Sequence, residues 1–371
     1  MEIDFRDALE RLGRGAPVRI AREMPPAGAF NELLPEREEA SYVAETGTMI
    51  IRSTMAGLAA MDSPYPPGGF VEASDFVENL AKTANEVVLN EKTQRMLQQR
   101  LRDLQLSGGN LIEAMVQEVL NFTNKVLVQP HLDTAEYLRA QALIYGKLDW
   151  TFNRKRLLVD YGVPADNFLP ERTGVDAYHG AESKFWDDIR LIRRRLRYNL
   201  RGLWAHPDTI DAIVANPNNN LVVLAQDGFT FTMRKQIVDG DGRYRDSGDA
   251  RDTVTLTAYQ YEGEIVNPAE PDKTIIIPFM PTGKILAVAQ NTRSGYRVGE
   301  GSTPDPEADR ALGFTQIGPT VEANGATGRW ADVFTPERRR YQLVGQAVTN
   351  LLPVIEAPDK IVVATTEMAG E

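Results

Sequence analysis

The sequence predicts a mixed α+β fold for this chain of 371 residues, and three observations predict it. A wide apolar stripe of period 3.6 starts at Leu111 and runs toward Gly146. Period-two alternation follows at Leu148, Trp150, Phe152 and again at Leu157, Val159, Tyr161. From Phe229 onward the chain is a succession of short β-rich runs separated by turns rich in Gly, Pro and Asp.

Taken in order, residues 1–45 read as an extended arm with one short helix. Phe5, Leu9 and Leu12 have helical spacing, Gly13 and Gly15 end the pattern, and Pro17, Pro25, Pro26 and Pro35 keep the rest irregular. Such an arm has little core of its own and is expected to lie against something else. Pro64, Pro66, Pro67, Gly68 and Gly69 exclude helix and central strand within 46–82. Glu86–Leu89 suits a short returning strand, and Asn90 an N-cap for a helix through Leu104.

After Ser107-Gly108-Gly109-Asn110, the stripe takes in Leu111, Ile112, Met115, Val116, Val119 and Leu120, then Val126 and Leu127. Pro130 is a point where this helix kinks or restarts before its glycine stop at Gly146, which would make it about 50 Å long. The alternation after it predicts a hairpin with a four-residue turn, Asn153 to Arg156. Phe185 to Trp204 reads as one amphipathic helix, with Phe185, Ile189, Ile192, Leu196, Leu200 and Leu203 on its apolar face. Pro207 begins a short helix to Ala215, and Leu221–Leu224 signals a strand. Strands are then expected at 229–238, 253–259, 274–279, 284–289, 341–348 and 360–365, with 294–329 a long surface loop.

Composition narrows the function. Fifty-two acidic and 41 basic side chains give a formal charge of −11, against 42% hydrophobic residues, as expected of a soluble chain of about two domains. The acidic balance disfavours a protein that coats nucleic acid over its whole surface. No apolar run reaches the roughly 18 residues that span a bilayer, and Met1–Arg11 lacks the apolar core of a secretory signal. Absence of cysteine removes disulfides, thiolate metal sites and thiol nucleophiles together.

Catalytic chemistry has little to stand on. The three histidines, His131, His179 and His206, form no HExxH pair, and no nucleophile elbow, phosphate loop or dinucleotide fingerprint is present. The run Asp239-Gly240-Asp241-Gly242-Arg243 to Asp249 could offer oxygens to calcium. However, Gly242 and Arg243 break the loop pattern and no glutamate closes it, so a turn between strands explains the same residues.

One charged feature stands out in this acidic chain: Arg190, Arg193, Arg194, Arg197 and Arg201, spaced i, i+3, i+4, i+7, i+11. Phosphate binding and pairing with acids of a neighbouring subunit are the functional readings. A solvated face paired to its own chain is the plain one.

The order of elements, together with three stretches, resembles the major capsid proteins of tailed double-stranded DNA phages, in particular the lambda-type branch (major capsid protein E, with the HK-type capsid fold). The stretches are Gly283–Gly301 with Gly295 and Gly299, residues 110–161, and Tyr341–Thr365 with Leu351-Leu352-Pro353-Val354 and Pro358-Asp359-Lys360-Ile361-Val362-Val363. The likeness spans most of 40–366. It implies an N-terminal arm over 1–45, an extended β-loop over 46–89 and a peripheral domain with a spine helix and hairpin over 90–184. An axial domain over 185–335 and a return of the chain over 336–371 complete it.

By the same resemblance, the chain would be a non-enzymatic structural protein without cofactor or metal. It would build hexamers and pentamers of itself into an icosahedral virion shell, assembled in the host cytoplasm, that encloses DNA without sequence-specific binding. The arm is short beside relatives with a cleaved scaffolding segment, so a separate scaffolding protein, or none, is expected. A portal and a cement protein are further partners of the family, and no membrane is involved. Lys82 and Lys92 flank the loop without a matching Asn and acid, so a non-covalent shell is expected. The acidic charge suits a wall that does not adhere to packed DNA. Three rivals remain: a metal-assisted hydrolase built from the three histidines and the 239–249 aspartates, another phage structural (tail) protein, and an encapsulin-type compartment.

Overall fold

The computed structural model describes residues 5–13, 15–26, 28–52, 70–89, 95–96, 99, 103, 110–152, 155–238, 244–246, 252–266, 274–289, 312–336 and 343–368. The arm holds two helices, not one: α1 (Phe5–Leu12) and α2 (Ala16–Glu23). Pro17, read from sequence as a breaker, lies in the first turn of α2, where its missing N–H has no partner to lose. Ala8, Ala16, Ala21, Phe30, Leu33 and Leu34 are buried against the rest of this same chain. Strand β1 (Glu36–Glu38) follows, then a ten-residue antiparallel ribbon of β2 (Val43–Arg52) and β3 (Phe70–Asn79). Strand β4 (Ala81–Val88) is twice as long as the sequence suggested. Pro64–Gly69 and most of the helix expected over 90–104 lie outside the described residues.

The long helix is continuous from Leu111 to Tyr145. It consists of α3 (Leu111–Phe122), one π-helical turn (Thr123–Val128) and α4 (Gln129–Tyr145). Asn110 caps its start by accepting from Glu113 N, and Gly146, at φ 65°, closes its end in the left-handed conformation that favours glycine. Pro130 does not break it, because the π turn and a side chain from β4 absorb the defect. Pro130 has no N–H for the carbonyl four residues back, Val126, and Asn85 Nδ2 donates there instead at 3.3 Å and to Leu127 O at 3.4 Å. α4 is buried on nearly all sides, which is why its sequence shows no clean polar face.

Strands β5 (Lys147–Phe152) and β6 (Lys155–Asp160) form the expected hairpin. Phe152 pairs with Lys155, so the connection is two residues rather than four. The expected helix to Trp204 stops early: α5 covers Phe185–Arg195, and Leu200, Arg201 and Leu203 belong to β7 (Leu200–Ala205). Next come α6 (Pro207–Ala215), β8 (Leu221–Asp227), β9 (Thr230–Val238), β10 (Tyr244–Asp246), β11 (Thr253–Ala258), β12 (Glu262–Val266) and β13 (Thr274–Pro278). The last strands are β14 (Lys284–Ala289), β15 (Gly313–Ile317), β16 (Trp330–Phe334), β17 (Val344–Ile355) and β18 (Ile361–Thr365). Strand β15 falls inside the span expected to be surface loop, and every residue of it is buried.

Two large sheets organise these strands. The five-stranded sheet runs β1-β15-β17-β16, with β4 along the other edge of β17. Pro353 is tolerated inside β17 because β4 ends at the Ala81–Leu351 pair, and Thr315, opposite Pro353, sends its N–H to Pro35 O instead. The seven-stranded sheet runs β10-β9-β11-β7-β14-β18, with β8 on the free edge of β9. Its inner strands divide their side chains between two cores by period-two alternation. Leu286, Val288, Ile361 and Val363 face the core around α4 and the five-stranded sheet. Ile285, Ala287, Val362 and Ala364 face the core under α5 and α6. A third cluster joins α1 and α2 to α3 and β16.

Candidate inter-subunit surfaces and the polar sites of the interior

Structure splits the predicted arginine stripe. Arg190, Arg193 and Arg194 are on α5, Arg197 is in the turn after it, and Arg201 is on β7. Arg190 reaches Asp252 Oδ1 at 3.4 Å and Asp187 at 4.0 Å, and Arg193 donates to the Thr253 carbonyl. Arg201 donates to Glu32 O at 3.5 Å. These three follow the plain reading, a charged face tied to its own chain. Arg194 and Arg197 are exposed and, among the described residues, their side chains have no hydrogen-bond or ion-pair partner.

The turn that ends α5 sets the second pair apart. Tyr198 N bonds Arg193 O at 2.7 Å and Arg197 N bonds Arg194 O at 3.1 Å, the two bonds of a Schellman cap. That cap needs a left-handed residue, normally glycine, yet Arg197 (φ 51°) and Tyr198 (φ 61°) both adopt it. Left-handed backbone costs a residue with a Cβ about 1–2 kcal/mol, and here it aims two large side chains outward, Tyr198 being 67% exposed. Arg195, half-buried, adds a third guanidinium without a described partner. Sequence periodicity passed over Arg195 and Tyr198, since a helix was expected to continue there. The signals available were Asn199 and Gly202, both poor helix formers inside the expected helix.

The interior has a second arginine site that patterning did not find. Arg139, fully buried on α4, donates to Glu136 Oε2 (3.1 Å), Glu36 Oε1 (2.9 Å) and Thr315 Oγ1 (2.9 Å). Arg329 donates to the other oxygen of Glu36 and, at 3.2 Å, to Met24 O. Glu136 Oε1 accepts from Phe30 N at 2.8 Å and from the Tyr259 hydroxyl at 2.5 Å. Burial pushes the Glu136 carboxyl above its usual range, against the opposing pull of Arg139, Tyr259 and the Phe30 N–H. Burial likewise raises the Tyr259 hydroxyl, and the nearby Glu136 raises it further. Gly28 is required beside this cluster, because a Cβ there would lie 2.1 Å from the Glu136 carboxyl carbon. Two carboxyls and two guanidiniums thus fasten the segment Met24–Glu36 to the long helix and to the loop before β16.

The histidines do not converge. His131 lies between Thr83 Oγ1 (2.8 Å from Nδ1) and Asn85 Oδ1 (3.0 Å from Nε2). Because Asn85 Nδ2 is committed to the helix carbonyls, its oxygen faces the ring, and Nε2 carries the proton. Burial, with Arg329 adding to it, lowers this imidazole to about 4. His206 caps α6 by accepting from Asp208 N at 3.2 Å, and His179 stands in the loop before α5. Among the described residues no group of three or more His, Asp or Glu is placed to hold a metal. Of the 239–249 loop only Tyr244–Asp246, strand β10, is described.

No protein-family model matches the chain, and no curated protein matches it. Solved structures do. The "putative capsid protein of prophage" from E. coli CFT073 superposes over 99% of this chain and 100% of its own, at 9% identity and a TM-score of 0.52. A phage-related protein from Bordetella bronchiseptica matches over 95% and 97% at 10% identity, with a TM-score of 0.47. The mature capsid of bacteriophage PhiM1 matches over 92% and 88% at 10% identity, with a TM-score of 0.45. The first of these shows a shared fold along the whole chain. The other two scores fall below one half and do not establish one by themselves.

Proposed function

We propose that this chain is a shell-forming structural subunit, the major capsid protein of a tailed double-stranded DNA phage. The observation that carries the proposal is the fold shared end to end with the CFT073 prophage protein. In this reading the long helix and its hairpin belong to the peripheral domain (90–184), most of the seven-stranded sheet to the axial domain (185–335), and 336–371 returns to supply β17 to the five-stranded sheet and β18 to the seven-stranded one. The 46–89 ribbon is the loop that overlaps an adjacent subunit, and the arm extends the contact. Partners are copies of the chain in hexamers and pentamers, with a separate scaffolding protein, a portal and a cement protein, and the shell is built in the host cytoplasm around DNA held without sequence reading. Of the arginine stripe, Arg194 and Arg197 contribute to contacts between subunits. The rival hydrolase finds no support, since His131 and His206 are engaged in local hydrogen bonds and, among the described residues, no group of three or more His, Asp or Glu is placed to hold a metal. Negative-stain electron microscopy of the purified protein tests the proposal: rings, sheets or shells are expected, and a monodisperse monomer with stoichiometric bound metal would overturn it.

A further inference from the structure

The corner that ends α5 and the hairpin β12–β13 are complementary surfaces at opposite ends of one strand. Arg190 and Arg193 anchor α5 to Asp252 and Thr253, at the start of β11. Beyond its far end, Ala258, the chain passes through Tyr259 and Tyr261 into β12. Six residues of strand separate the two ends by about 17 Å, so the corner and the hairpin cannot close on each other within one chain.

The hairpin pairs with neither large sheet. Tyr261 fixes its root, with its hydroxyl 3.3 Å from Asp133 Oδ1 and its ring against Phe279. Beyond that root, Glu262 and Glu264 are exposed on one face of β12 and have no partner among the described residues. Ile276, 62% exposed, pairs directly across from Glu264 and so shares that face. A lone two-stranded hairpin is marginal in water, and one carrying an exposed isoleucine beside two carboxylates gains from a partner that is cationic and partly apolar. The α5 corner presents that chemistry: Arg194, Arg195 and Arg197 around an exposed Tyr198, held out by a left-handed backbone.

We propose that the Arg194–Tyr198 corner of one copy docks on the Glu262/Glu264/Ile276 face of the next. Carboxylates take the guanidiniums, and the isoleucine packs against the tyrosine ring. The two surfaces differ, so the contact is head-to-tail. Repetition closes it into a ring or extends it into a sheet of subunits. This pairing rests on the shell reading above and names one of its contacts.

The chain has no cysteine, which makes site-specific cross-linking clean. Tyr198→Cys and Ile276→Cys are made separately, both at exposed positions, mixed in equal amounts and treated with a short bis-maleimide. Expected is a cross-linked dimer severalfold more abundant in the mixture than in either variant alone, and a ladder from the double variant. A mixture no richer in dimer than its components overturns the pairing. Electron microscopy of the untreated wild type reads the shell proposal separately: rings, sheets or shells without the cross-link would sink the pairing alone, and the cross-link with none of these assemblies would sink the shell reading alone. Arg194→Glu with Arg197→Glu should abolish the cross-link and regain it against Glu262→Arg with Glu264→Arg. If the cross-link is absent and wild type retains a short DNA duplex that the Arg194→Glu, Arg197→Glu variant releases, the corner is a phosphate site and the pairing is overturned.

Discussion

Around the long helix, Arg139 and Arg329 meet Glu36 and Glu136 out of water, and every one of these side chains is engaged. At the end of α5, Arg194, Arg195 and Arg197 stand without a described partner, the last on a left-handed backbone that is strained to present it. The same residue type is satisfied inside the fold in one place and left over in the other. Burial makes the first arrangement obligatory: a charge taken out of water must be matched, and removing one partner strands the other. Exposure makes the second optional for the folded chain, so its cost is recovered only where something else meets it. Substitutions should therefore act on stability in the interior and on association at the corner, and each experiment below presses on that division.

The largest effect belongs to the interior. Arg139→Met removes the charge between two carboxyls and should cost about 3–5 kcal/mol, read as a lower urea midpoint with unchanged slope. Adding Glu136→Gln should return part of that loss, because the stranded carboxyl is then gone. A single variant as stable as wild type would mean that the cluster merely fills space.

His131 comes next. Its folded value of about 4 lies below the ordinary 6.5. Between these pH values the unfolded chain therefore binds the proton and the folded chain does not. Its contribution is present in full above about pH 6.5 and is lost as pH falls to about 4, roughly 3 kcal/mol across the window. His131→Gln should flatten that part of the stability profile, measured by urea unfolding at stepped pH. An unchanged slope would assign the acid sensitivity to other groups. A smaller loss, about 1–2 kcal/mol, is expected for Asn85→Ala, which leaves the Val126 and Leu127 carbonyls beside Pro130 short of a donor. Hydrogen exchange should then rise in the residues flanking the π turn, and protection equal to wild type there would show that water replaces the amide.

These sites also show what a sequence can and cannot disclose. Periodicity located the long helix after Asn110 and its stop at Gly146, because both are written in consecutive residues. It did not find the Glu36–Arg139–Glu136–Arg329 cluster, whose members come from three distant parts of the chain. In one dimension each is an ordinary charged residue. Strand β15 was missed for a related reason: Thr315 and Gln316 look like loop residues until Leu34 O and Arg139 meet the first and Ser41 O and Val43 O the second. The arginine stripe was visible as composition, but helical spacing continued it through a turn that the backbone takes at Arg197. Which arginines are engaged and which are spare depends on Asp252, Thr253 and Glu32, and no local pattern marks those. The histidine rival fell in the same way, since residue type suggested ligands and placement gave each ring a separate neighbourhood.

The smallest effect on stability is the most diagnostic, because its sign is unusual. Glycine is the ordinary residue at the left-handed position of a Schellman cap. Arg197→Gly relieves that strain while adding some freedom to the unfolded chain, so a net gain of about 0.5–1 kcal/mol is expected. The variant also deletes one of the corner's guanidiniums. If the corner serves association, the variant should melt later and assemble less, a gain and a loss in one substitution that a purely structural arginine would not show. Melting of the dissociated protein by circular dichroism gives the first number, and sedimentation of the assembled fraction gives the second. A variant that melts later and assembles as well as wild type would make Arg197 dispensable to both, and the division between satisfied and spare arginines would then rest on Arg194 and Arg195 alone.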